Sequence, residues 1–449
     1  MGEYKFKGKV DKEKVFIVNR NEFNDRFDAP FYKEKFDFSN CINLSKLVNV
    51  KGGKRIPVGK TYANKETSNI YFRVSNMENS TDIDYSKVKY ISDDLYYFLK
   101  RYELFENELI ISIAGTIGKI NLIKNFPKGK KVILTENCAK LILKKDNVIP
   151  EYLLIVLKSK FVQKQIKLNY IQTTIPKLGL DRVLNLKIPN IPNKGTQIKI
   201  VSQYQKAYNQ KQQKEKEAKV LLASVDTYLM NELEINLPKT NNSLESRVFT
   251  VNFSEISGER FDAFAVLNKD YKIEGGKYKN YRLRQIAEIQ KGQSITSAKI
   301  IDGDYPVIAG GQSSPYSHNV YNYKNNAITV SASGAYAGYV WYHNTPIFAS
   351  DCSVIQSKDE NNISTLFLAE VLKTKQTEIY NLQQGAGQPH VYSSDLIKLN
   401  IPVPPKEKQE EIINHISEIR AKAKQLKKEA KTGLENAKHE IEKQILGTE

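Results

Sequence analysis

The chain has 449 residues, 68 Lys and Arg against 50 Asp and Glu, and 40% hydrophobic residues. That length suggests two to four domains of roughly 100–200 residues, and the apolar content excludes collagen-like and wholly disordered chains. Cys41, Cys138 and Cys352 are too scattered for a disulfide framework or a zinc cluster, and no stretch approaches the roughly 18 apolar residues of a membrane span. The opening MGEYKFKGKVDKEKVF has no apolar signal core, so a cytoplasmic protein without a membrane association is expected. The net charge of +18 predicts a polyanionic partner, because a basic surface releases counterions from phosphates. A nucleic acid is the partner expected on charge and size.

Read along the chain, the sequence repeats itself. Val15-Phe16-Ile17-Val18-Asn19 recurs as Val248-Phe249-Thr250-Val251-Asn252, and Arg26-Phe27-Asp28-Ala29 as Arg260-Phe261-Asp262-Ala263. Leu44–Ile56 matches Leu283–Ile295, and Ser112-x-x-Gly115-x-x-Gly118 answers Ser331-x-x-Gly334 with Gly338 one residue late. Asn137-Cys138 pairs with Asp351-Cys352, Val156-Leu157-Lys158 with Val371-Leu372-Lys373, and Ile188-Pro189 with Ile401-Pro402. Lys216–Lys219 and Lys428–Lys431 close the series. The order never changes, so the two halves are one unit used twice.

Each half begins with β-branched, apolar runs such as Glu108–Ile113, Lys131–Leu134 and Ala327–Ser331, bounded by Gly, Asn and Pro as strands are. Helices are predicted around Glu151–Lys167 and Ser364–Tyr380, each followed by an extended Ile-Pro stretch. A long, charged, Gly-poor segment ends each half, Thr196–Leu233 and Lys406–Leu446. Val201, Tyr204, Tyr208, Lys211, Glu215, Ala218, Leu222, Val225 and Leu229 fall three and four apart on the first. Ile412, Ile416, Ile419, Ala423, Leu426, Ala430, Gly433 and Ala437 do so on the second. Such spacing makes a narrow apolar seam that wants one partner helix. The expected fold is α+β with a pseudo-twofold internal repeat. Its parts are a domain at 12–193, a first spacer helix at 194–237, a second domain at 247–405 and a second spacer helix at 406–446.

No catalytic constellation is present. The run from Ala114 to Ile120 is too short between its glycines for a phosphate loop and has Ile120 where a metal-binding hydroxyl belongs. No cofactor fingerprint follows a strand, and the five histidines have no metal spacing. The chain is therefore expected to hold no cofactor or metal of its own and to bind rather than catalyse.

The binding chemistry sits in loops. Lys51, Lys54 and Arg55 flank a Gly pair that would let backbone approach phosphates, and Lys119 follows the next turn. Gln172, Thr173, Thr174 and Lys177 form another polar loop. In the second half the candidates are Lys291, Gln293 and Ser294, then Gln312, Ser313 and Tyr316, with Tyr336, Gln384, Gln388 and His390. Arg pairs bidentately with guanine and Gln with adenine, so these are the side chains expected to meet DNA. The loops differ between halves far more than their flanks, which suits two readers of two different sequences.

These residues resemble the DNA-specificity subunit family of type I restriction–modification systems. The most specific marks are Leu186–Pro192 leading to Gln197-x-x-Ile200 and Leu399–Pro405 leading to Gln409-x-x-Ile412, with Arg-Phe-Asp-Ala heading each half. In the first half Lys194-Gly195-Thr196 departs from the family's Pro-rich acidic entry to the helix. The resemblance implies two target-recognition domains separated by an antiparallel coiled coil of the two long helices, each domain reading half of a split target in double-stranded DNA. It implies two methyltransferase subunits, motor–nuclease subunits for restriction, and S-adenosylmethionine, ATP and Mg bound by those partners. Other readings are the specificity subunit of a type II-like enzyme cutting both sides of its site, a stand-alone DNA-modifying enzyme, and a structural coiled-coil adaptor.

If the helices set the gap between half-sites, adding one heptad to both Thr196–Leu233 and Lys406–Leu446 keeps the seam and lengthens them by about 10 Å. Mapping of methylated adenine should then show a gap wider by about three base pairs, with both half-site sequences unchanged.

Overall fold

A computed structural model describes residues 15–18, 20, 32–33, 36–77, 85–144, 146–169, 176–238, 243, 245, 248–256, 262–268, 271–385 and 387–447. The motif at 26–29, Arg260 and Phe261 lie outside the described residues, as do the candidates Gln172, Thr173 and Thr174. The chain divides into two compact units, Met1–Gln212 with Ala430–Glu449, and Gln213–Glu429.

In the first unit, β1 (Cys41–Asn43), β2 (Val48–Gly52), β3 (Asn69–Phe72), β4 (Lys89–Ile91), α1 (Asp93–Leu99) and β5 (Glu103–Leu104) come first. They are followed by β6 (Leu109–Ser112), β7 (Ile120–Leu122), β8 (Lys131–Leu134), β9 (Cys138–Leu143), α2 (Pro150–Lys158), α3 (Lys160–Asn169) and β10 (Lys187–Pro189). The central sheet has the order β2-β9-β6-β7, antiparallel throughout. A second sheet, β4-β3-β8-β5, contains one parallel pair, β3 with β8. The sequence pattern explains the packing. Strand β6, LIIS, is buried along its whole length, as expected of a β-branched run covered on both faces. Tyr152, Leu153, Val156 and Leu157 of α2 pack into the same core as Leu109, Ile111, Ile120 and Leu141.

The second unit repeats the plan. Its strands are β11 (Asn280–Arg282), β12 (Ala287–Lys291), β13 (Tyr305–Ile308), β14 (Ser317–His318), β15 (Ala327–Ser331), β16 (Val340–His343), β17 (Phe348–Ala349), β18 (Cys352–Ser357) and β19 (Asn400–Pro402). The central sheet β12-β18-β15-β16 is antiparallel, and the small sheet β14-β13-β17 again holds one parallel pair. The extended Ile-Pro segments close both units: β10 pairs antiparallel with β1, Pro189 opposite Cys41, and β19 with β11, Pro402 opposite Asn280. Each of these ladders has only two strands. A proline, which has no N–H to give, is tolerated at such an edge.

The two long helices run Lys194–Leu233 and Lys406–Leu446. Without the Pro-rich entry, the first starts on a side-chain cap: Asn193 Oδ1 accepts from Thr196 N at 2.9 Å. The helices are not free-standing spacers, because each half of each helix is built into a domain core. Ile200 and Ile441 lie in the core of the first unit; Val225, Leu229, Leu233, Ile412 and Ile416 lie in that of the second. Within the second unit Lys408 Nζ meets Glu232 Oε2 at 2.7 Å and Lys214 pairs with Glu429, so the helices run antiparallel there. The seam departs from the expected one in places. Leu222 is 37% exposed and Glu215 is exposed, whereas Leu221 is half-buried. Gly433 is exposed and its neighbour Leu434 is 7% exposed. The larger apolar side chain takes the inward position, since burial of its area is the driving term.

What fastens each helix to its domain is a glutamine. Gln197 is fully buried; its Oε1 accepts from Ile149 N at 2.8 Å, and its Nε2 donates to Asn147 O and Pro192 O, both at 2.9 Å. Gln409 repeats the arrangement with Ser364 N at 3.0 Å, Asn362 O at 2.8 Å and Pro404 O at 3.0 Å. One amide thus saturates three backbone groups that burial would otherwise leave unpaired. Gln409→Leu should cost about 2–4 kcal/mol, because these groups lose their partner without access to water. Denaturant unfolding followed by circular dichroism will show a loss of that size, and an exposed control such as Gln425→Leu should stay within about 0.5 kcal/mol.

Candidate nucleic-acid interface

In the first unit four chain segments meet at one end of the central sheet. Gly53 N donates to Cys138 O at 2.9 Å and Lys54 N to Leu134 O at 3.0 Å, holding the segment after β2 against the β8–β9 connection. Ile113 N donates to Asn137 O at 2.8 Å, Gly115 N to Pro176 O at 3.2 Å, and Leu178 N to Ile113 O at 2.9 Å. The β6–β7 turn closes through Gly118 N to Ser112 O at 3.0 Å and Lys119 N to Ser112 Oγ at 2.9 Å, a tight strand–turn–strand and no phosphate loop.

The second unit assembles the same four segments. Gly292 N donates to Cys352 O at 2.8 Å and Gln293 N to Ala349 O at 2.9 Å. Ala332 N donates to Asp351 O at 3.1 Å, Gly334 N to Pro389 O at 3.0 Å, and Val391 N to Ala332 O at 3.0 Å. The hairpin bridge between Gln384 and His390, with N–H···O distances of 2.8 and 2.7 Å, shapes the last of these loops. Gly310 adds the following loop, since a Cβ there would lie 2.5 Å from Ser333 O.

The glycines after β2 and β12 do a different job from the one the sequence suggests. A Cβ on Gly53 would stand 2.0 Å from Thr135 O, and one on Gly292 would stand 2.2 Å from Ser350 O. Their missing side chains admit the neighbouring backbone of the protein itself and are not openings for phosphate.

Around this frame the first unit is strongly charged. Lys51, Lys54, Arg55 and Lys177 are exposed. The segment beyond Arg55 turns at Lys60 N to Pro57 O, 3.1 Å, and carries exposed Lys60 and Tyr62. Arg55 Nε donates to Glu136 Oε1 at 2.6 Å; Thr135 Oγ1 donates to Glu136 Oε2 at 2.8 Å, and the Tyr71 hydroxyl lies 3.2 Å from the same oxygen. Burial works to raise the Glu136 carboxyl, but the Arg55 and Thr135 hydrogen bonds outweigh it and hold the group below its usual range. Lys119 is different: its Nζ donates to Met77 O at 3.0 Å, which turns it into the fold.

The second unit presents amides, hydroxyls and aromatic rings. Lys291, Gln293, Ser294, Gln312, Ser313 and Gln388 are exposed, and Tyr316, Tyr336 and Tyr392 are 54%, 46% and 49% exposed. Gln312 hydrogen-bonds the Tyr380 side chain. Gln384 Nε2 donates to Asp395 Oδ2 at 2.8 Å, and the His390 ring stacks on Tyr392 at 6.1 Å. Ser333 donates to Asp351, fixing the turn after β15. Sequence reasoning missed Glu136, Tyr62, Asp351 and Ser333, and also Arg73, whose guanidinium lies over the Tyr62 ring at 5.9 Å. Only the Asn137/Asp351 match in the repeat pointed toward that connection.

Gly292→Ala puts a methyl carbon into the Ser350 carbonyl, so the β12 segment must shift. The variant should lose about 2 kcal/mol or more of stability, measured by thermal unfolding, while Gly387→Ala, where nothing lies within 4 Å, should be nearly neutral.

The chain matches the family model described as the type I restriction modification DNA specificity domain over residues 40–221 and 276–436. A Mycoplasma pneumoniae chain described as a type I specificity subunit is 29% identical over 158 residues, 34% of this chain and 42% of that one. The specificity subunit of the type I restriction enzyme MpnII from the same organism is 30% identical over 142 residues, 30% of this chain and 42% of that one. The match thus spans less than half the length of these two relatives. A solved chain from a type I restriction–modification assembly superposes with a TM-score of 0.55 at 15% identity, covering 91% of this chain and 96% of the other.

Proposed function

We propose that this chain, which belongs to the type I restriction–modification DNA-specificity family, reads a two-part duplex DNA target with one half-site for each unit. Adenine methyl transfer and cleavage then belong to partner subunits, two methyltransferase chains and the motor–nuclease chains. Those partners would hold S-adenosylmethionine, ATP and Mg, and this chain would contribute recognition only. The observation that carries the reading is the doubled scaffold with undoubled loops. The central sheets share one strand order, and the hydrogen bonds through Asn137 and Pro176 recur through Asp351 and Pro389. On that common frame the exposed side chains differ: Lys54 and Arg55 stand where Gln293 and Ser294 stand in the second unit. A conserved frame with exchanged contact residues is what reading two different base sequences requires, since backbone contacts position and base contacts specify. The net charge of +18 supplies the sequence-independent attraction to phosphate.

Exchange of residues 247–405 for the matching region of a relative, in cells that carry the partner subunits, tests the proposal. Genome-wide mapping of methylated adenine should report one changed half-site and one unchanged. A simultaneous change of both halves, or methylation indifferent to this chain, would count against it.

A further inference from the structure

The first unit holds a cleft of about 350 Å³ beside the loop cluster, walled by Arg55, Tyr62, Tyr71, Arg73 and Glu136 among others. Its chemistry is specific. Glu136 occupies the Nε of Arg55, and the two terminal nitrogens of that guanidinium have no hydrogen bond among the described residues. The Arg55 side chain is 78% exposed, so those donors are available to a ligand. A second guanidinium, Arg73, lies over the Tyr62 ring at 5.9 Å, and its buried Nε has no partner among the described residues. The Tyr71 hydroxyl braces both sides of the cleft, 2.7 Å from Lys54 O and 3.2 Å from Glu136. The matching loops of the second unit carry no such group, since no arginine occurs between Gln285 and Ile419. Two parallel N–H donors match the O6 and N7 acceptors of guanine, whereas amide side chains match adenine.

Resting on the two-reader function above, we propose that this cleft is a guanine reader. Arg55 donates from its terminal nitrogens to O6 and N7 of a guanine in the first half-site. Glu136 is the positioning residue that holds Arg55 in place, and Arg73 on Tyr62 supplies the second cationic wall. Glu136 carries negative charge where DNA approaches, a cost that makes sense if its work is to aim the arginine. A plain phosphate-binding site would have no use for it.

The test uses the full chain assembled with its methyltransferase subunits. Methylation mapping with and without the chain comes first; methylation that ignores the chain would sink the two-reader function itself. Given the motif, 7-deazaguanine, which lacks N7, replaces each guanine of the first half-site in turn. Wild type should lose about 10-fold or more in affinity at one position. In Glu136→Gln that penalty should shrink to about 2-fold or less, and Glu136→Asp should restore part of it. Retained discrimination at the other positions of the first half-site certifies that the first unit is folded in the variants. The inference is overturned by a first half-site without guanine or by the absence of any deaza-sensitive position. It is also overturned if Glu136→Gln weakens all duplexes equally and leaves the deaza penalty intact, which would mark a phosphate contact.

Discussion

The architecture depends on a buried side-chain amide. Gln197 and Gln409 each enter a first helical turn with no exposure and join three backbone groups from two different segments, the helix approach and the loop before a domain helix. A glutamine is suited to this because it carries an acceptor and two donors on one planar group, at the end of a chain long enough to cross from helix to loop. An ionised group of similar reach would bring a desolvation cost that no partner here offsets. Once the amide is seated, the start of the long helix and the loop before the domain helix cannot move independently. The extended Ile-Pro strand that precedes the helix is brought against β1 or β11 to close the unit.

The same frame tolerates different chemistry away from the pin. Eleven residues after each glutamine stand Tyr208 and Arg420. Arg420 makes a bidentate pair with Glu370 at 2.7 and 2.5 Å. Burial works to raise the Glu370 carboxyl, and the arginine with Lys373 more than compensates. In the first unit the residue before Val156-Leu157-Lys158 is Ile155, and Ile155 and Tyr208 are 8% and 7% exposed along one shared groove. The ion pair of one repeat is replaced in the other by an isoleucine and a tyrosine that line one groove. The fork-to-carboxylate geometry satisfies the buried Glu370, and the first unit has no charge to satisfy at the matching positions. The candidate loops diverge more freely still, since their backbone hydrogen bonds come from the frame while many of their side chains are exposed.

Much of the fold was legible in the residues. The ordered repeats announced two like units, the β-branched runs at 109–112 and 327–331 announced the central strands, and the spacing of Ile412, Ile416 and Ala423 announced a buried helix face. These signals are local: strand and helix faces are written in period two and period three to four. The candidate loops were legible as polar, Gly-containing segments between such runs. The roles of individual residues inside them were not. Lys119 reads like any loop lysine yet bonds Met77 O, and Gly53 reads like a phosphate loop yet makes room for Thr135.

By itself, then, the sequence determined the duplication, the element types, the positive charge and the family. Each of these is carried by composition or by spacing within a few turns of chain. The tertiary structure alone decided that each long helix belongs half to one core and half to the other, that Leu434 rather than Gly433 faces inward, and that Glu136 lies against Arg55 across 81 residues of sequence. Those outcomes depend on which surfaces meet, and contact between distant segments is settled by the competition for burial and for hydrogen-bond partners that only the folded chain completes.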